Sequence, residues 1–287
     1  MAAGRATARS DAPLVIIVGP TASGKTKVAI ELAEEFGGEI ICADSRTIYR
    51  GMDIGTAKPT VEEQAQVPHW GIDLVEPDER FTAADFKQYA EQKIEEIRLR
   101  GHVPFLVGGT GLYVDAVLFD YEFGGAVDVV LRDELNRMSL DELTEYCIKH
   151  NVKLPENAKN KQYVVRAIER KDISVKRRSV PINNSIIVGI ATDKFILDER
   201  IAHRTEQLFK DGVVEEAIRL GKKYGWESSA FTGNVYQVIK SHLLGEYSEE
   251  EMKDKNTTLD RQLAKRQRTW FKRNSYIHWL PLKEVKQ

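Results

Sequence analysis

Cysteine is nearly absent: Cys42 and Cys147 are the only two in 287 residues. So few cysteines in a chain this long exclude a disulfide scaffold, and their spacing makes no metal site. Such usage fits a reducing compartment and sets the expectation of a cytoplasmic protein. Long apolar runs are missing as well. No stretch approaches the roughly 18 residues that a membrane span needs, so no membrane partner is expected. Neither charge is in excess, since 42 Lys and Arg stand against 44 Asp and Glu for a net charge of -2. Any contact with nucleic acid must therefore come from local patches. Residues 1–12 carry Arg5 and Arg9 but no apolar h-region, which argues against a secretory signal. We read them as a flexible leader, with an organellar address left open, and take a monomer as the default state.

What the chain does have is a phosphate cradle. Gly19-Pro20-Thr21-Ala22-Ser23-Gly24-Lys25-Thr26 follows the apolar run Leu14 to Val18 and opens a helical pattern. Its spacing, G-x-x-x-x-G-K-T between strand and helix, is that of a P-loop. Glycines let the backbone wrap an anion, and successive N–H groups and the helix N-terminus then face it. Lys25 would reach the outer phosphate and the Thr26 hydroxyl would be the Mg²⁺ ligand. The loop does not say which phosphorylated molecule it holds.

The segments that follow alternate between strand and helix. Val28, Ala29, Leu32, Ala33 and Phe36 fall at helical spacing up to Gly37-Gly38, and Glu39 to Ala43 reads as a strand delivering Asp44-Ser45-Arg46-Thr47. Ligands of an open α/β sheet bind at the carboxyl ends of its strands, so Asp44 belongs near the cradle as a base or an Mg²⁺ partner. A helix N-cap is the alternative. Residues 49–59 form a long glycine-punctuated loop of the kind that carries function. A short extended segment over Pro68 to Asp73 includes His69, to which no role is given. Thr82 to Asp85 resembles a capping box before a helix to about Arg100. Val103 to Val107 is the next strand. It ends in Gly108-Gly109-Thr110 where an ordinary P-loop enzyme would place an Asp for Mg²⁺, so the backbone must approach something closely there and an ATPase reading weakens.

Residues 121–185 carry helical patterns over Leu131 to Met138, from a Ser139 capping box through Cys147, and over Gln162 to Lys171, with no strand alternation. Strand signals resume at Ile186 to Ile190. A helix from Asp198 puts Arg200 and Arg204 on one face, where they could clamp a diphosphate or simply be solvated. Gly212 and Gly221 punctuate the helices that follow. The last helical run, from about Ser248, contains Lys265, Arg266, Arg268, Lys272 and Arg273 with Trp270 and Phe271 interleaved. That composition offers phosphate affinity and aromatic surface, or else a solvated helix with two core aromatics. The expected fold is α/β: a P-loop NTPase-like parallel sheet flanked by helices, residues 13–120 and 186–287, with a small all-helical insertion at 121–185.

Together, GPTASGKT at 19–26, DSRTIYRGMDIGTAKP at 44–59, AADF at 83–86, GGTGLY at 108–113, RAIE at 166–169, Arg200-Ile201 with Arg204, and AKRQRTWF at 264–271 resemble the tRNA dimethylallyltransferases, also called tRNA isopentenyltransferases. They stand in that family's order and cover nearly the whole chain beyond the leader. The resemblance implies transfer of a dimethylallyl group from dimethylallyl diphosphate to N6 of adenosine 37, beside the anticodon of certain tRNAs, with Mg²⁺ as cofactor and the anticodon stem-loop as partner. It further implies that Gly19, Thr21, Ala22, Ser23, Gly24, Lys25, Thr26 and Arg204 hold the diphosphate. Asp44 would take a proton from the amine, with Thr110 and Lys25 beside it at the reaction. Ser45, Arg46 and Thr47 would line the flipped base. Arg132 would stand near the reaction channel, while Gln162, Arg166, Lys265, Arg266, Arg268, Trp270, Lys272 and Arg273 would touch the RNA. The chain departs from the family at Asn160 and Tyr163, usually Asp and Arg, at Val235 to Val238, usually Gly-Tyr-Lys-Glu, and in its short insertion. An enzyme that prenylates free adenylate would share the core chemistry but need neither the insertion nor the basic tail. A P-loop kinase would share only the first strand, loop and helix.

Overall fold

The computed structural model describes residues 11–123, 128–170, 176–282 and 284. It divides into two compact units: one runs to Phe119 and resumes at Val180, and the other is Asp120–Ser179.

The larger unit is built on a six-stranded parallel sheet in the order β3-β2-β4-β1-β5-β6. Its strands are β1 (Leu14–Val18), β2 (Gly38–Cys42), β3 (His69–Trp70), β4 (Val103–Gly108), β5 (Ser185–Ala191) and β6 (His278–Pro281). Parallel strands covered on both faces read as continuous apolar runs, and β2 and β4 are buried at every residue. Side chains alternate between two cores. Ile16, Val18, Ile41 and Leu106 face Phe86, Ala90 and Val114, whereas Ile17, Ile40, Cys42 and Val107 face Ala29, Ile30 and Ala33. The first core rests on α3 (Ala83–Leu99) and α4 (Gly111–Leu118), and the second on α1 (Lys25–Phe36).

Local chemistry fixes the helix ends. Gly37 closes α1 in a left-handed conformation, at φ 63°. Thr60 opens α2 (Val61–Gln66) and Thr82 opens α3, each through a capping box. In the smaller unit, α5 (Val129–Arg137), α6 (Leu140–Lys149) and α7 (Lys161–Glu169) enclose Leu135, Leu143, Cys147, Val164 and Ile168. Asn160 caps α7 by accepting from the Gln162 N–H at 3.0 Å. Lys171, the expected end of that helix, lies outside the described residues. Residues 180–185, read with the insertion, lie in the larger unit, where the Ile182 N–H donates to the Leu118 carbonyl at 2.8 Å.

Four helices complete the larger unit: α8 (Lys194–Lys210), α9 (Val213–Tyr224), α10 (Asn234–Leu243) and α11 (Glu249–Phe271). The expected start at Asp198 is one turn late, because Asp193 is the cap that accepts from Phe195 and Ile196. Gly221 does not punctuate a helix. It sits inside α9 because a Cβ there would meet the Trp226 ring at 2.3 Å. Val235 and Val238 are buried with Tyr236 and Phe231 in a third core. There Glu216, 4% exposed, accepts hydrogen bonds from the N–H groups of Asp53, Ile54 and Gly55 and from the Tyr236 hydroxyl. That carboxylate pins the long 49–59 loop.

Candidate active site

The chain leaves β1 into the P-loop, β2 into Asp44 and β4 into Thr110, so three neighbouring strands deliver these groups to the carboxyl end of the sheet. In the P-loop the left-handed residues are Ala22 at φ 60° and Gly24 at φ 92°. A non-glycine residue held there marks a loop whose shape is set by its surroundings. Lys25 and Thr26 then occupy the first turn of α1, where N–H groups and the helix dipole favour an anion. Both face a cavity of about 640 Å³ shared with Thr21, Ala22, Gly24, Asp44, Ser45, Arg46, Thr47, Thr110, Arg204 and Arg266.

Electrostatics at the cradle depend on burial. Desolvation lowers the Lys25 ammonium to about 8, partly opposed by the Asp44 carboxylate and reinforced by Arg204. A bound diphosphate would reverse that by supplying opposite charge. Two guanidinium groups from α8 lean on the loop: Arg200 donates to the Ser23 carbonyl at 3.1 Å and Arg204 to the Thr21 hydroxyl. At the cradle, Arg204 Nε and Ser23 Oγ are buried without a hydrogen-bond partner among the described residues. Buried unpaired polar groups are costly, and an anion in the cradle is one way to satisfy them. Gly19 lies beneath this turn, where a Cβ would meet Ser23 Oγ at 2.8 Å.

The opposite wall comes from β2 and β4. Asp44 is no helix cap; its Oδ1 accepts the Arg46 N–H at 2.8 Å within a turn. Thr110 Oγ1 accepts the Ser45 N–H at 3.0 Å, which ties the two strand ends together. Arg46 is held away from the sheet, since its guanidinium donates to the Thr232 hydroxyl at 2.8 Å and to the Ser229 carbonyl at 3.3 Å in the 3-10 turn Ser229–Thr232. The glycines before and after Thr110 answer to protein neighbours. A Cβ at Gly109 would meet Gln267 Nε2 at 2.4 Å, and one at Gly111 would meet the Trp270 ring at 2.2 Å.

Helix α11 therefore packs on the site through residues that the basic pattern hid. Gln267, which the sequence reading passed over, accepts the Thr21 N–H at 2.7 Å and donates to the Gly109 carbonyl at 3.1 Å. A signal was available, because Asn256, Asp260, Ala264, Gln267 and Phe271 share one face of the helix, and polar residues in an inward stripe need partners. The two aromatics divide between the readings left open, surface and core. Phe271 is in the core, and Trp270, 36% exposed, donates its indole N–H to Asp115 at 2.8 Å. Lys265, Lys272 and Arg273 stand exposed and Arg268 is half-buried. In the smaller unit, Gln162 and Arg166 share the exposed face of α7, while the Arg132 guanidinium is paired with the Glu169 carboxylate by two hydrogen bonds.

Comparison with known proteins settles the family. The family model described as IPP transferase matches residues 47–274, and another described as isopentenyl transferase matches residues 12–70. The chain belongs to the IPP transferase family. Within that family, a tRNA dimethylallyltransferase of Acetivibrio thermocellus is 40% identical, covering 93% of this chain and 91% of the relative. One from Bacillus pumilus is 36% identical, covering 94% and 90%. Among solved structures, the full-length tRNA isopentenylpyrophosphate transferase of Bacillus halodurans superposes with a TM-score of 0.74 at 36% identity, over 96% of this chain and 93% of that one. A eukaryotic dimethylallyltransferase, at 21% identity and a TM-score of 0.79, shares the fold. The resemblance read from the ordered motifs is thus borne out, as is the α/β sheet flanked by helices.

Proposed function

We propose that the protein transfers the dimethylallyl group of dimethylallyl diphosphate to N6 of adenosine 37 in the anticodon stem-loop of tRNA, releasing diphosphate. One observation carries the reading: the P-loop after β1, Asp44 after β2 and Thr110 after β4 line one cavity that Arg266 and Gln267 of α11 also line. The family relationship supports the same reaction. Adenosine N6 attacks the allylic C1 of the donor, the C1–O bond breaks with its electron pair going to the diphosphate, and Asp44 receives the N6 proton. Thr110 orients the amine, and Lys25, Arg204 and the P-loop amides stabilise the departing charge. The adenine is unstacked from the anticodon loop to enter the cavity.

Thr26 and Asp44 both line this cavity. That sparse set fits Mg²⁺, which retains several waters and binds through one or two protein oxygens plus substrate phosphates. Bound there, Mg²⁺ would neutralise diphosphate charge.

Diphosphate release tests the reading. With dimethylallyl diphosphate and Mg²⁺ present, release should begin only when a stem-loop bearing adenosine 37 is added. An equal burst from a stem-loop with guanosine at that position would remove the amine from the mechanism.

A further inference from the structure

Gln267 joins two parts of the site that must hold a fixed separation. On the reading above, the allylic carbon is placed by the P-loop, and the amine that attacks it is placed by Thr110 and Asp44. Gln267 bonds to both supports at once: its Oε1 accepts from Thr21 N at 2.7 Å and its Nε2 donates to Gly109 O at 3.1 Å, next to Thr110. One amide thereby spans from the end of β1 to the end of β4. Thr21 is held from its other side by Arg204, so the Gln267 bond acts on a loop already fixed against α8. Gly109 leaves no slack either, because a Cβ there would lie 2.4 Å from Gln267 Nε2.

We infer that Gln267 is a positioning residue, setting the distance between the donor cradle and the acceptor edge rather than touching either substrate's reacting atoms. A group with this task affects how often bound substrates meet in attack geometry, and a displacement of about 1 Å can cost on the order of 10²-fold in rate. It leaves uniform binding of each substrate nearly intact. It also decides what captures the allylic carbon. When the amine is misplaced, water attacks C1 instead, the same C1–O bond breaks, and dimethylallyl alcohol, diphosphate and a proton are formed.

The test uses the full chain with dimethylallyl diphosphate, Mg²⁺ and the anticodon stem-loop, and compares Q267A, G109A and the double variant. For Q267A, kcat should fall about 10²-fold with both KM values within about threefold, and the share of donor lost as alcohol should rise. G109A should lower kcat by displacing the amide, and the double variant should be no worse than Q267A alone, since residues in contact are not additive. The alcohol share is a ratio of products, so loss of folded protein does not alter it. Wild-type kcat in Q267A, or a raised KM for the stem-loop with kcat and product ratio unchanged, would overturn the inference. A wild-type chain that prenylates AMP but no RNA is a separate outcome, and it overturns the reading on which this rests.

Discussion

Glu39 and Asp44 stand at opposite ends of β2, five residues apart, with the same functional group in opposite circumstances. Glu39 is 2% exposed and accepts from Trp70 Nε1 at 2.6 Å, from Arg100 at 2.7 and 2.8 Å and from His102 Nδ1 at 2.7 Å. Burial pushes its carboxyl up, but the hydrogen bonds from Arg100, His102 and Trp70 together outweigh it and hold it at about 2. Asp44, at the carboxyl end, is half-buried, accepts one backbone N–H from Arg46 and borders the cavity. A carboxylate with every lone pair used is a structural fastener. One with acceptor capacity left, at the end of the strand where α/β folds bind ligands, is available for chemistry.

Substitutions should separate these two roles. Asp44→Ala should reduce turnover about 10³-fold while leaving RNA affinity and thermal midpoint unchanged, read by single-turnover kinetics, RNA binding and melting. Near-normal turnover would remove Asp44 from the base role. Lys25→Ala should cost about 10² in kcat through weaker stabilisation of the leaving group. In the wild type, Lys25 should also make donor binding pH-dependent: the charged ammonium, favoured below about 8, would attract diphosphate, so affinity should weaken as pH rises through about 8. Because Asp44 raises that value, Asp44→Asn should move the break to lower pH; calorimetric titrations with donor alone check both.

Replacing Lys265, Arg266 and Lys272 together should weaken stem-loop binding roughly tenfold at moderate salt and reduce the slope of log affinity against log salt by about 2. An unchanged slope would show that α11 is not the docking surface. The smallest effect is expected at the other end of β2. Glu39→Gln should cost about 1 kcal/mol of stability, since the exposed side of Arg100 is screened by solvent, and should leave kcat unchanged. The Glu39 carboxyl is lower in the folded chain than its ordinary 4.5, so its contribution is present above that value and lost as pH falls toward about 2. Melting curves of wild type and variant should therefore converge in acid.

Much of the site was legible because its groups lie in contiguous motifs. The P-loop carries its own strand, turn and helix signals, and Asp44 and Thr110 follow apolar runs, which places them at strand ends. Local patterns could not reveal partners far apart in the chain. Glu216 reads as an ordinary helix-surface acid until the 53–55 amides meet it, 161 to 163 positions away. Gln267 is a neutral residue in a cationic run, and its two partners lie on separate loops. Strand β6 was missed because His278 to Pro281 is short and ends in proline, which suits only a sheet edge. Phe271 and Trp270 were read alike, though one enters the core and the other is anchored at the edge of α4.

The most direct measurement is the product itself. Wild-type protein incubated with dimethylallyl diphosphate, Mg²⁺ and an anticodon stem-loop should yield, after nuclease digestion and mass spectrometry, one N6-dimethylallyl adenosine, located at position 37. Unmodified RNA beside prenylated AMP, or a prenyl group at any other position, would contradict the account.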